Sequence, residues 1–342
     1  MSQLRKDIIS GRWVIIAAER GKRPDDFRPA PVEKKKEPIG FCPFCEGNES
    51  KTPREVYALR KNGTRPDKPG WLVRVVPNKF PALTRGMPPV QHEDGILRWM
   101  DGVGVHEVVI ETPDHDKELP DLPLGHLQHV LETYKKRVVS IEEEFQYKYV
   151  HVFKNKGREA GASLSHPHSQ IVATPIIPKK VNEELYSCER LHRQHGECII
   201  CRIIRDETRT GERLILRNAH FCVIAPFAPR FPFEMHVYPL RHSAWYTSLT
   251  RAESLWLARA IKSTLGKLRA ILSDPPHNFY IHQAPNPNLP HEAWVNLKES
   301  FHWHIEVIPV LTRVAGFEWG TGFYINPVPP ETAAGFMRNS TP

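Results

Sequence analysis

Residues 163–172, SLSHPHSQIV, place two histidines on either side of a proline and follow them with a glutamine. The stretch predicts a short β-strand, in which residues i and i+2 point to the same side of the sheet. His166 and His168 should therefore project together, with Gln170 further along the same face. Paired strand histidines often serve only packing, but their combination with Gln170 favours a catalytic site.

The chain passes twice through one order of motifs. The first pass runs from a Cys-x-x-Cys at residues 42–45, through P-x-H and a periodic helix, to the H-P-H at 166–168. The second runs from a Cys-x-x-Cys at 198–201, through P-x-x-H and another helix, to an H-W-H at 302–304. Because the spacings differ between the passes, the pattern indicates an old duplication with loop insertions and not a solenoid.

Hydrophobic periodicity defines the elements of each repeat. Apolar residues recur at three- and four-residue steps from Leu124 to Phe145, which predicts one long helix. A second helix begins at TRAE, where Thr250 and Glu253 can form a capping box. The strand candidates alternate as in a half-covered antiparallel sheet and include residues 12–18, 71–78, 106–112, 148–155 and 304–310.

These elements predict an α+β fold of two repeats, each an antiparallel sheet with one long helix. The β pattern is lost near residues 176–197, so we place the boundary there. Residues 1–185 should form the repeat with the H-P-H motif, and residues 190–342 the second repeat.

Composition limits the class of protein. The chain has 342 residues, a formal net charge of +8 and a pI near 9.1, which favours anionic partners such as nucleotides or sugar phosphates. The start lacks the apolar run of a secretion signal, and no apolar stretch is long enough to span a membrane. We therefore expect a cytoplasmic protein without a membrane partner, in which the Cys-x-x-Cys pairs bind metal or do redox work.

The first repeat holds a candidate zinc site. Two thiolates and two imidazoles form a closed tetrahedral site with a structural role, and Cys42, Cys45, His115 and one histidine of the H-P-H are available. The alternative is a reduced cysteine pair on a turn beside a loop histidine. If His166 binds the metal, the neighbouring His168 is held rigidly without being a ligand.

A neutral imidazole held in this way can attack phosphorus and form a covalent phospho-histidine intermediate. The amide of Gln170 can then bind a phosphate oxygen as negative charge builds there. The loop before the strand, NKGREAGAS, brings Asn155, Gly161 and Ser163 close to a bound anion, although it also fits an ordinary surface loop.

Three stretches, PDHDKELPDL, FKNKGREAGASLSHPHSQ and FHWHIEVIP, together resemble the galactose-1-phosphate uridylyltransferase family of the histidine triad superfamily. The resemblance implies two histidine-triad-like repeats, a homodimer with shared active sites, and a ping-pong reaction. His168 would take uridylyl from UDP-glucose and pass it to galactose 1-phosphate, with Gln170 polarising the phosphate. It also implies a structural zinc at Cys42, Cys45, His115 and His166, and nucleotide or phosphate contacts from Arg20, Arg23, Asn78, Asn155, Gly161 and Ser163.

The second metal has two possible ligand sets. Some members of the family use a glutamate and three histidines, for which Glu184, His282, His302 and His304 stand in plausible places. The other set repeats the first site, with Cys198, Cys201, His242 and His302. We prefer the sulfur set because thiolates hold zinc more firmly and because its order copies the first repeat.

The C-terminal GFEWGTGFYINPVPPETAA resembles a branch of the family that includes ADP-glucose phosphorylases, which pass adenylyl to inorganic phosphate. ADP-glucose and phosphate are therefore the alternative substrates.

A zinc-ribbon nucleic-acid-binding protein is the alternative from another class. It would explain two Cys-x-x-Cys pairs and a basic pI, but it predicts clustered basic residues. The basic residues here are spread along the chain, and a ribbon has no need for strand histidines at i, i+2 spacing. We therefore expect no nucleic-acid partner.

Overall fold

The computed structural model describes residues 1–21, 24–27, 42–61, 63–86, 89–291 and 294–342. Most of the alternating apolar stretches form strands. The strands are β1 (Gln3–Lys6), β2 (Trp13–Ile16), β3 (Tyr57–Arg60), β4 (Trp71–Pro77), β5 (Gln91–Asp94), β6 (Leu97–Met100), β7 (Val105–Ile110), β8 (Tyr149–Lys156), β9 (His168–Thr174), β10 (Leu214–Arg217), β11 (Phe221–Ile224), β12 (Met235–Pro239), β13 (His277–His282), β14 (His304–Pro309) and β15 (Tyr324–Asn326). The α-helices are α1 (Leu124–Glu144), α2 (Lys179–His195), α3 (Ile199–Thr210), α4 (Arg251–Leu272), α5 (Leu297–Ser300), α6 (Gly316–Thr321) and α7 (Pro330–Asn339).

Ten strands form one antiparallel sheet in the order β10-β11-β12-β14-β13-β8-β9-β7-β4-β3. The order is symmetric about the β13–β8 pair, with one long helix before each central strand, α4 before β13 and α1 before β8. The α+β fold with a large antiparallel sheet is therefore confirmed. The proposed division at residues 185–190 stays a prediction.

The two long helices cover one face of this sheet. Both bury an apolar stripe in a continuous core that includes Leu131 and Val138 of α1 and Leu257 and Ile261 of α4. The predicted capping box is present, because the Thr250 hydroxyl accepts from the Glu253 backbone N–H and the Glu253 side chain accepts from the Thr250 N–H. The opposite face of the sheet carries the histidines and the nearby polar side chains.

A smaller sheet joins the two ends of the described chain. β2 pairs antiparallel with β1 and parallel with β15, in the order β1-β2-β15. Val14 and Ile16 of β2 pack on Ala228, so this sheet rests on the second half of the molecule. Within the described ranges, no helix is both long and apolar enough to cross a bilayer.

Two local features differ from the sequence-based expectation. Residues Lys179–His195 form helix α2, where the sequence showed only a loss of β pattern. The strand that was expected to hold both histidines begins at His168, after Pro167, which has no N–H to donate to a sheet. His166 therefore lies in the segment that enters β9, although the Phe44 ring still contacts both imidazoles, at centroid distances of 6.1 Å and 5.3 Å.

Candidate active site and metal centres

His168 is the first residue of β9 and is 7% exposed. Its Nδ1 lies 2.8 Å from the His166 carbonyl oxygen, which can only accept, so Nδ1 carries the ring proton. Burial lowers the pKa of His168 and outweighs the opposing effect of that hydrogen bond, so the imidazole is neutral. Nε2 therefore keeps its lone pair, as a nucleophile requires.

A buried ionic network supports β9 from the helix side of the sheet. Lys154 Nζ donates to Glu111 Oε2 at 2.8 Å and lies 3.2 Å from Glu118 Oε2 and 3.5 Å from the His168 carbonyl oxygen. The other Glu111 oxygen accepts from Ser169 Oγ and from the Tyr134 hydroxyl. Glu111 therefore links β8 and helix α1 to the strand that carries the histidine.

Gln170 lies two residues beyond His168 and contacts His106 of the neighbouring strand β7. The distance from Gln170 Oε1 to His106 Nε2 is 2.8 Å. Asn78, which follows β4, has its Nδ2 3.0 Å from the same histidine nitrogen. The structure thus brings two predicted site residues, Asn78 and Gln170, to one imidazole that the sequence did not single out.

Asn155 projects from β8, beside the glycine loop. Its Oδ1 accepts from Asn278 Nδ2 at 2.9 Å, and Asn278 also donates to the Ala160 carbonyl at 2.8 Å. Gly161 has φ +93°, and a Cβ there would lie 3.4 Å from Asn155 Nδ2. The glycine therefore permits the left-handed turn, whereas the distance to Asn155 is that of an ordinary van der Waals contact. Ser163 is exposed on the same loop.

Arg20 ends a short 3-10 helix, Ala18–Arg20, directly after β2. It therefore belongs to the small sheet that packs on the second half of the molecule, and not to the strands around His168. Arg23, the other predicted phosphate contact of this segment, lies outside the described residues.

Cys42, Cys45, His115 and His166 converge, with their ligand atoms all within 4.8 Å of one another. Cys45 Sγ lies 3.2 Å from His115 Nδ1 and 3.6 Å from His166 Nδ1. His166 Nε2 donates to the Thr112 carbonyl at 2.8 Å, so its Nδ1 keeps a lone pair towards the sulfur. A metal-binding histidine is commonly oriented in this way, and the donor set fits tetrahedral zinc.

The second repeat builds the same arrangement from Cys198, Cys201, His242 and His302. Cys201 Sγ lies 3.3 Å from His242 Nδ1 and 3.4 Å from His302 Nδ1. The Nε2 atoms of these histidines lie 2.8 Å from the Lys298 carbonyl and 3.0 Å from the Pro239 carbonyl. This donor set also fits zinc, and it takes His302 away from the alternative carboxylate set.

The remaining members of that alternative set form a separate cluster. Glu184, His282 and His304 lie together, and His282 Nδ1 is 2.6 Å from Glu184 Oε2. Glu184 and His304 border a cavity of about 400 Å³, which Glu306 also lines. The sequence left His302 available to two ligand sets. In the structure these sets are two separate clusters, and His302 lies in the one that contains the cysteines.

Sequence reasoning missed several residues of this region. Lys154 carries a detectable signal, since it is a charged residue that follows Val150 and Val152 on the inward face of an alternating strand. His106 and Asn278 carry no such signal in the sequence, because their contacts depend on which strands pair across the sheet.

A family model described as galactose-1-phosphate uridyl transferase, N-terminal domain, matches residues 1–178, and a domain of unknown function matches residues 138–339. The chain belongs to the galactose-1-phosphate uridylyltransferase family. It is therefore an enzyme of a nucleotidyltransferase family, as the H-P-H-x-Q motif predicted.

Two relatives differ in the activity that their names state. The ADP-glucose phosphorylase of Arabidopsis thaliana is 37% identical over 98% of this chain and 92% of the relative. The galactose-1-phosphate uridylyltransferase of Thermotoga maritima is 30% identical over 99% of both chains.

Solved structures of both kinds of enzyme are also similar to this chain. An Arabidopsis thaliana ADP-glucose phosphorylase with bound ADP-glucose superimposes with a TM-score of 0.82 at 33% identity, covering 100% of both chains. A uridylyltransferase superimposes with a TM-score of 0.74 at 31% identity, covering 99% of this chain and 97% of the other.

Proposed function

We propose that this enzyme transfers a nucleotidyl group through a covalent intermediate on His168. The observation that carries the proposal is the Nδ1–H bond from His168 to the His166 carbonyl, which leaves Nε2 as the only nucleophilic nitrogen of a buried neutral ring. Nε2 attacks the α-phosphorus of a nucleotide sugar, an N–P bond forms, and the bond to the sugar 1-phosphate breaks. The acceptor oxygen then attacks the same phosphorus and restores the free imidazole.

The donor that the comparisons favour is ADP-glucose, with inorganic phosphate as the acceptor. The support is 37% identity to an ADP-glucose phosphorylase along nearly the whole chain, together with the C-terminal segment that resembles that branch. UDP-glucose with galactose 1-phosphate is the second candidate, supported by 30% identity to a uridylyltransferase over the full length of both chains.

The remaining residues have supporting roles in this proposal. Gln170 binds a phosphate oxygen, and Asn78, Asn155, Gly161 and Ser163 contact the nucleotide or its phosphates. Zinc bound by the two Cys2His2 sets would cross-link the loops before β9 and β14 and thereby stabilise them. Arg20 contacts phosphate across a homodimer, since it follows β2, whose sheet packs on the second half of the chain and not on the strands around His168. Arg23 stays a predicted phosphate contact.

The test uses ADP-glucose and UDP-glucose, each labelled at the α-phosphate, with pure protein and no acceptor. We expect acid-labile label on the protein from ADP-glucose, its release by inorganic phosphate, and no label on the His168→Gly variant. His304→Gly is the matched control, because His304 occupies the corresponding place in the second repeat and should leave labelling intact. Label from UDP-glucose alone would reverse the donor assignment, and no label from either would refute the covalent mechanism.

A further inference from the structure

His106 stands at the centre of a hydrogen-bond network that ends on the amide of Gln170. It lies on β7 opposite Val172, while Gln170 lies opposite Val108, so the two side chains are diagonal neighbours on one face of the sheet. The turn after β4 encloses the other side of the ring, because Asn78 and Ala82 both contact it.

The backbone decides which nitrogen of His106 carries the proton. The Ala82 N–H lies 3.1 Å from His106 Nδ1, and a backbone N–H can only donate. Nδ1 is therefore the acceptor, and the neutral ring carries its proton on Nε2. That proton faces Gln170 Oε1 at 2.8 Å.

Asn78 does not accept this proton, and with the proton on Nε2 its 3.0 Å approach is a contact between two donors and not a hydrogen bond. Its Oδ1 accepts from the Phe80 backbone N–H at 2.9 Å, which directs its Nδ2 towards His106. An amide nitrogen donates and does not accept. Gln170 Oε1 is therefore the acceptor at this end of the ring.

We infer that His106 is a positioning residue that fixes the orientation of the Gln170 amide. With its oxygen held by His106, Gln170 can present only its NH2 group towards the phosphate at His168. In the opposite orientation the amide oxygen would face the developing negative charge and oppose the reaction. This inference rests on the proposed function, in which Gln170 donates to a phosphate oxygen.

The kinetic test compares three variants in the first half-reaction, measured as the rate at which His168 becomes labelled. His106→Leu removes the donor and should lower the rate about tenfold. His106→Gln places an amide NH2 near the position of Nε2 and should stay within about threefold of the native rate. In a Gln170→Ala background, His106→Leu should change the rate less than about twofold, because its effect acts through Gln170.

A native rate for His106→Leu would overturn the inference, and so would an equal loss with and without Gln170. A purely structural role predicts a different pattern, in which the glutamine and leucine variants fail alike and the Gln170→Ala background gives no relief.

The second readout does not depend on activity. In protein labelled with 15N-histidine, the His106 signals, assigned by their absence in His106→Gln, should show protonated Nε2 and unprotonated Nδ1. The opposite tautomer would overturn the inference even in an active enzyme. If the native protein takes no label from any nucleotide sugar, the proposed function fails, while the tautomer still decides whether the His106 proton faces Gln170.

Discussion

Replacement of Lys154 by methionine tests the support beneath β9, the strand that carries His168. Lys154 is 1% exposed, and its ammonium contacts Glu111 at 2.8 Å and Glu118 at 3.2 Å. Burial alone would lower the pKa of Lys154, but the two carboxylates outweigh burial and raise it, so the residue is charged. Methionine has a similar length and no charge, and it leaves both carboxylates without their cation.

Removing one partner of a buried ion pair costs about 3–5 kcal/mol, because the remaining charge stays desolvated. For a chain of 342 residues, that cost corresponds to a fall in Tm of about 4–7 °C. Denaturant unfolding and calorimetry at neutral pH would measure both quantities, and the labelling rate of His168 would report the effect on β9.

Glu111→Gln combined with Lys154→Met is the matched control. The double variant removes both the lysine and its closest carboxylate, so it should be more stable than Lys154→Met by at least about 1 kcal/mol. A cost below about 1 kcal/mol for Lys154→Met, or no recovery in the double variant, would show that this network does not stabilise the strand.

Cys42→Ser should release zinc from the first metal set and lower the Tm, measured by metal analysis and calorimetry; unchanged zinc content would exclude this ligand set. Gln170→Ala should lower the labelling rate of His168 about a hundredfold to a thousandfold while zinc content stays unchanged; a native rate would remove Gln170 from the site. Burial raises the pKa of Glu142 from 4.5 to about 8, so the folded state holds this proton more tightly and stability falls as pH rises from about 4.5 to about 8. Glu142→Gln should therefore stabilise the protein more at pH 9 than at pH 5, and equal effects at both pH values would contradict this origin.

Short-range patterns predicted most of the fold. The two long helices begin and end close to their predicted bounds, because their apolar stripes and the Thr250 capping box are local signals. The Cys-x-x-Cys pairs were also predictive, since each pair fixes two ligands by spacing alone. Helix α2 was missed because it has few apolar residues, and its stripe is short.

Long-range pairing explains what the sequence did not predict. β2 pairs with β15, more than 300 residues away, so the place of Arg20 depends on a contact that no local pattern reports. From the sequence, His302 could belong to either of two metal-ligand sets. Only the structure shows that its Nδ1 points towards Cys201. The partnership of His106 with Gln170 likewise depends on the register of β7 against β9.

The two repeats carry equivalent histidines in different electrostatic surroundings. His304 Nδ1 lies 3.2 Å from the His302 carbonyl, much as His168 Nδ1 lies 2.8 Å from that of His166. The sheet registers also correspond, because Glu306 lies opposite Tyr280 as Gln170 lies opposite Phe153. The second repeat therefore has a carboxylate where the first has an amide.

That exchange predicts which histidine reacts. Burial would raise the pKa of Glu306, but the Arg230 guanidinium outweighs burial and holds it well below its ordinary value, so the carboxylate is charged. The charged Glu306 carboxylate, two residues from His304, can only accept hydrogen bonds and offers no donor to a phosphate oxygen, whereas the Gln170 amide can donate to one. Peptide mass spectrometry after reaction should therefore find the nucleotidyl group on His168 and none on His304. Modification of His304 would show that the charge at Glu306 does not decide between the repeats.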